Sequence, residues 1–109
     1  TRLTATEGKR MNDILQYTFN QSHRKIKIQE VAEIANLSAE AFCRYFKVRT
    51  RKTYTNFLNE VRVSNACKML IEKRKSIQEI CYDSGFANLS HFNRTFKKVT
   101  GKTPTGYLN

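Results

Sequence analysis

Residues 76–108 read SIQEICYDSGFANLSHFNRTFKKVTGKTPTGYL, and the same message stands in weaker form at residues 27–58, KIQEVAEIANLSAEAFCRYFKVRTRKTYTNFL. Phe42, Arg44, Phe46 and Lys47 return about fifty residues later as Phe92, Arg94, Phe96 and Lys97. Thr50, Lys52, Thr53, Thr55 and Leu58 return as Thr100, Lys102, Thr103, Thr105 and Leu108. The upstream triplet Ile28-Gln29-Glu30 returns as Ile77-Gln78-Glu79 at a spacing one residue shorter, so one residue is inserted between the blocks. A repeat of this period is two copies of one supersecondary unit.

The unit is legible in the second copy. Ser76 through Glu79 is a capping box, in which Ser and Glu satisfy each other's free backbone N–H groups at a helix start. That helix ends near Ser84-Gly85. Asn88 caps a second helix running to about Val99, and Thr103-Pro104 opens a last short one. Gly85 and its counterpart Asn36 are residue types that tolerate positive φ. Each is followed by an apolar residue, Phe86 or Leu37, suited to plug the angle between two helices. Helix, tight turn, helix is a helix-turn-helix. In the first copy Ile28 to Ala35 forms the short helix, with Lys27 a poor cap. Ser38 caps the next, to about Lys47, with Phe42, Tyr45 and Phe46 toward a core.

Around these copies lie two further helices. From about Gly8 to Asn20, Met11, Ile14, Leu15, Thr18 and Phe19 recur at helical spacing; residues 1–7 are expected to be a linker or tail. Between the copies a helix of residues 53–73 changes apolar phase. Tyr54, Phe57, Leu58 and Val61 form one stripe; Val63, Ala66, Cys67, Leu70 and Ile71 form another, about 200° away at 100° per residue. Each copy alone is near the lower size limit for a core, and a helix burying opposite faces in its two halves serves both. The expected organisation is residues 8–52 for the first subdomain, 53–73 for the linker helix and 74–109 for the second. A helix of about 21 residues is about 31 Å long, close to the roughly 34 Å between successive major grooves on one face of B-DNA.

Composition narrows the partner. The 109 residues carry 20 Lys and Arg against 9 Asp and Glu, a net charge of +11. That balance favours a polyanion, nucleic acid before an acidic membrane surface. The three cysteines, 43, 67 and 81, form no C-x-x-C pair, which argues against disulfides or structural zinc and for a reducing cytoplasm. The sequence contains no run of about 18 apolar residues, so no membrane association is expected. No Gly-rich phosphate loop, His/Cys dyad or carboxylate pair suggests a reaction. Neither a cofactor nor a metal is expected, and His91 has no second ligand at metal-binding spacing.

The second copy resembles the signature of the AraC/XylS family of bacterial transcription regulators. The residues that carry the resemblance are Ile80-Cys81, Gly85-Phe86, Asn88, Phe92-Asn93-Arg94-Thr95-Phe96-Lys97, Gly101 and Pro104 through Tyr107. It extends over about residues 8–109. The first copy departs where Arg51 replaces the glycine matching Gly101 and Tyr54 replaces Pro104. The resemblance implies an all-α, homeodomain-like domain of seven helices, two helix-turn-helix subdomains joined by a linker helix. It implies sequence-specific binding of double-stranded DNA, activation of transcription with RNA polymerase as a partner, and a sensor or dimerisation domain elsewhere in the full-length chain. It does not imply an enzyme: methyl-transfer repair proteins with similar units use four clustered cysteines, and here three are scattered. The rival reading is a non-specific architectural binder driven by charge.

Candidate base readers lie on the faces opposite the phenylalanines. On the first copy's second helix they are Glu40, Cys43 and Arg44; on the second copy's they are Ser90, His91, Asn93 and Arg94. Arginine suits guanine O6/N7, asparagine adenine N6/N7, and glutamate cytosine N4. Glu40 is equally well explained as an acid favoured by a helix N-terminus. Ser38, Ser76, Asn88 and Thr103 at helix starts, with Lys47, Lys97 and Lys98, are candidates for phosphate contact. The clusters Arg49-Arg51-Lys52 and Lys73-Arg74-Lys75 are expected to be solvated.

Overall fold

The computed structural model describes residues 5–108, with side chains from residue 8 onward. Among the described residues there are six helices and no strands: α1 (Ala5–Gln21), α2 (Ile28–Ile34), α3 (Ala39–Thr50), α4 (Tyr54–Glu72), α5 (Ile77–Asp83) and α6 (Leu89–Thr100). The expected seventh helix does not form. Residues 104–108 make turns, held by Thr103 Oγ1 accepting the Gly106 N–H at 3.0 Å and Pro104 O accepting the Tyr107 N–H at 3.4 Å. Five residues allow too few i→i−4 bonds to outweigh helix nucleation. At the other end α1 starts at Ala5, ahead of the expected Gly8. Residues 5–7 of the expected tail are therefore helical, and residues 1–4 lie outside the described residues.

The chain divides into two compact units. One runs through Gln21 and resumes from Ile26 to Phe57; the other is Ser22–Lys25 with Leu58 onward. The division falls inside α4.

In the first unit α1 packs on α2 and α2 on α3. Ile14, Thr18, Val31, Ala32, Ala35, Phe42, Phe46 and Tyr54 are buried there. Tyr54 meets Phe42 and Phe46 edge-on, at ring-centroid distances of 5.2 and 5.4 Å. Burying each such ring contributes about 2 kcal/mol. The weak cap at Lys27 is repaired from downstream: the Glu30 carboxylate accepts the Lys27 backbone N–H at 3.0 Å, and Tyr17 Oη donates to the same carboxylate at 2.6 Å.

In the second unit Val63, Ala66, Leu70, Ile80, Cys81, Phe86, Phe92 and Phe96 form one buried cluster. Ile71, expected in this stripe, is 61% exposed. At 100° per residue it stands roughly 100° around the helix from the centre of Val63, Ala66 and Leu70, so it misses the core.

The two turns close alike. Asn36 has φ +59° and Gly85 φ +108°. The Leu37 N–H bonds Ala32 O and the Asn36 N–H bonds Glu33 O; Phe86 and Gly85 repeat this on Cys81 O and Tyr82 O. A left-handed residue with these two bonds satisfies carbonyls that a helix end leaves free. The inserted residue is located here. Only Leu37 separates Asn36 from the cap Ser38, whereas Phe86 and Ala87 separate Gly85 from Asn88.

Candidate nucleic-acid interface

Each unit presents one helix whose two faces are sharply divided. On α3, Phe42 and Phe46 are fully buried, while Glu40, Cys43, Arg44 and Lys47 are exposed. On α6, Phe92 and Phe96 are fully buried, while Ser90, Asn93, Arg94, Lys97 and Lys98 are exposed. The phenylalanines fix which way each helix faces, because turning it would expose two aromatic rings. Among the described residues no carboxylate pairs with Arg44 or Arg94. Both guanidiniums are therefore free to meet an external partner, and each can give a bidentate fork.

His91 stands apart from the other expected readers. It is half-buried, and its ring packs edge-on against Phe86 at 5.5 Å. Its repeat counterpart Ala41 is half-buried too. The contact with Phe86 orients a ring that is still partly exposed. Leu89 likewise packs against the core cluster.

The helix starts differ in what they offer. Ser38 Oγ accepts the Ala41 N–H at 3.1 Å, and Asn88 Oδ1 accepts the His91 N–H at 2.8 Å. Each heads a helix of 12 residues. Ser76 Oγ is engaged in its capping box with Glu79. It heads a helix of 7 residues, and Thr103 heads only a turn, so their peptide dipoles sum to less.

The helix ends carry a device that the sequence displays but that reading it missed. Thr50 Oγ1 donates to Phe46 O at 2.8 Å and accepts the Lys52 N–H at 3.2 Å; Thr100 does the same on Phe96 O and Lys102. The repeated Thr-x-Lys was its signal. The next residue reverses the chain in both units, Arg51 at φ +63° and Gly101 at φ +82°. Two residues expected to be solvated have partners. Arg49 stacks over the Tyr45 ring at 4.1 Å. Lys75 pairs with Asp83 at 2.7 Å, and that hydrogen bond raises its pKa.

Arg62 lies between the buried Val61 and Val63, half-buried itself, and donates to two backbone carbonyls of the segment before α2. Its local signal is weak, because Glu60 stands two residues before it and Asn59, Ser64 and Asn65 make the surrounding run of mixed polarity.

No group of three or more His, Cys, Asp or Glu among the described residues is placed to hold a metal. Cys43 is exposed, Cys67 half-buried and Cys81 buried. No helix among the described residues is long and apolar enough to cross a membrane.

Two successive helix-turn-helix units, each offering a basic helix, define the class as a double helix-turn-helix module. A family model described as a helix-turn-helix domain matches residues 31–109, and the chain belongs to that family, the AraC-type helix-turn-helix proteins. It is 30% identical over 95 residues to YobQ of Bacillus subtilis (strain 168), an uncharacterized HTH-type transcriptional regulator; the match covers 87% of this chain and 39% of YobQ. It is 33% identical over 94 residues to AdaA of the same organism, a bifunctional transcriptional activator/DNA repair enzyme, covering 86% of this chain and 44% of AdaA. The chain thus spans less than half the length of either relative. The DNA-binding domain of AdpA, a global transcriptional factor solved with a target DNA, shares the fold with a TM-score of 0.84 at 21% identity, over 91% of this chain and 89% of that one.

Proposed function

We propose that this chain is the DNA-reading module of a bacterial transcription regulator, binding double-stranded DNA in a sequence-specific way. One observation carries the reading: Arg44 and Lys47 on α3, and Arg94 and Lys97 on α6, stand exposed at identical repeat positions opposite buried phenylalanine pairs. In this reading α3 and α6 enter adjacent major grooves. The 19 residues of α4 span about 28 Å, of the order of the roughly 34 Å groove repeat. Arg44 and Arg94 pair with guanine or flanking phosphate, and Asn93 pairs with adenine. Glu40 and Ser90, Cys43 and Asn93 are the positions where the copies differ, and they carry the difference in sequence read. Lys47, Lys97 and Lys98, with the helix starts after Ser38 and Asn88, contact phosphates. The proposal extends to activation through RNA polymerase in the cytoplasm, under a sensor or dimerisation domain elsewhere in a longer chain. It assigns no catalytic step to this module.

The test is selection of a site from random duplex DNA, followed by Arg44→Ala and Arg94→Ala. Each variant is expected to lose about 1–3 kcal/mol on the selected site and to relax preference at separate positions about ten base pairs apart. A non-specific architectural binder predicts another result: the best selected site would bind no tighter than bulk duplex at about 150 mM salt. That outcome sinks the sequence-specific reading.

A further inference from the structure

Arg62 projects from α4 onto a strap of chain that belongs, in sequence, to the connection between α1 and α2. Its Nε donates to Ser22 O at 2.9 Å and its Nη2 to Arg24 O at 2.7 Å. One turn further along α4, Asn65 Nδ2 donates to Ser22 Oγ at 3.2 Å. Ser22 is 1% exposed. The strap, Ser22–Lys25, is part of the compact unit that contains α5 and α6. Gly85, the turn residue between α5 and α6, is seated on these same groups. A Cβ at position 85 would overlap the Ser22 carbonyl oxygen and stand 2.7 Å from Arg62 Nε.

The chemistry explains why an arginine is needed. The carbonyl of buried Ser22 must find a donor, and a planar guanidinium fork meets it together with the Arg24 carbonyl in a fixed geometry that a lysine ammonium does not impose. The α5–α6 turn thus rests on a platform assembled from α4 and the strap, both remote from it in sequence. The backbone approaches that platform closely enough to require glycine.

We propose that Arg62, assisted by Asn65, is a positioning residue for DNA reading by α6. It holds Ser22–Arg24 as the seat of the Gly85 turn, and the turn sets the angle at which α6 offers Asn93 and Arg94. The inference rests on α6 being a base-reading helix.

The experiment uses the whole chain and duplex DNA bearing the site selected by the wild type, with each base pair varied singly. Bases read by α6 are first assigned as those whose discrimination falls in Asn93→Ala and Arg94→Ala. In Arg62→Ala, discrimination at those bases is expected to fall about tenfold, from the size of a single-mismatch penalty toward none. Discrimination at bases assigned to Arg44 stays, and Arg62→Lys lies between. A residue that only stabilises the fold would lower the active fraction for all sequences alike and leave these ratios unchanged. Unchanged ratios, or equal loss in both halves of the site, overturn the proposal. Should Arg62→Ala be unfolded by circular dichroism, Arg62→Lys and Asn65→Ala decide by the same ratios; if all three unfold, Arg62 is a stability residue and the proposal fails. A wild type without sequence preference is seen before any variant is made, and it removes the DNA-reading proposal itself.

Discussion

The hydroxyl of Tyr54 lies 2.7 Å from Thr18 Oγ1 in a buried hydrogen bond between α4 and α1. Thr18 gives its own proton to Ile14 O at 2.8 Å, so Tyr54 is the donor. This bond accounts for a departure between the two copies. Tyr54 stands where the second copy has Pro104. In the first unit that position roofs the phenylalanine pair and reaches α1. In the second, Pro104 is buried and opens the terminal turn. The aromatic contact is then made by Tyr107, edge-on to Phe96 at 5.4 Å; its counterpart Phe57 sits 5.4 Å from Phe46.

Removing only the hydroxyl, in Tyr54→Phe, is expected to destabilise the protein by about 1 kcal/mol, because Thr18 loses its donor in a dry site. Urea denaturation reads this directly. An unchanged midpoint would show that the bond contributes nothing net.

Gly85→Ala is expected to cost more than about 2 kcal/mol, since it combines a forbidden φ with a clash against backbone. Asn36→Gly, at φ +59°, should stay within about 1 kcal/mol of wild type, because asparagine already tolerates that region. Equal effects of the two substitutions in thermal melts would contradict the close seating of the second turn.

Arg51→Gly is expected to stabilise by about 0.5–1 kcal/mol. A left-handed non-glycine residue costs about 1–2 kcal/mol, and glycine returns part of that as unfolded-state entropy. The reverse change, Gly101→Arg, should destabilise by a similar amount. A Cβ at Gly101 meets nothing within 4 Å, so strain alone acts. Matching denaturation midpoints for wild type and Arg51→Gly would refute the strain argument.

Thiol chemistry should rank the cysteines. Burial pushes the Cys81 thiol up from its ordinary value, which lowers its thiolate fraction at pH 7–8, and the thiolate is the reactive form. Cys43, exposed on α3, is expected to react with a disulfide reagent first. Cys81 should react only on unfolding. Mass mapping of the labelled sites gives the order, and early labelling of Cys81 would be inconsistent with its burial.

Much of this molecule was legible in the chain because its signals are local. The Ser76–Glu79 capping box, Ser38 and Asn88 before apolar runs, and the turn pair Asn36 and Gly85 each act over a few residues, and the repeat doubled the caps and the turn. Helical periodicity placed the phenylalanines inside, and with them the exposed Arg44 and Arg94 outside. What failed depended on how far a short signal carries. Pro104 opens a turn and no helix, since five residues do not sustain one. Ile71 satisfies apolarity but not phase.

The sequence by itself determined the double helix-turn-helix plan and the outward faces of α3 and α6, because period and capping are properties of neighbours along the chain. Tertiary structure alone decided what lies beneath the second turn. Ser22, Arg62 and Gly85 are far apart in sequence, and no periodicity relates them. Their meeting arises from packing, where a guanidinium satisfies the carbonyl of buried Ser22 and that of half-buried Arg24, and a glycine leaves the room for it.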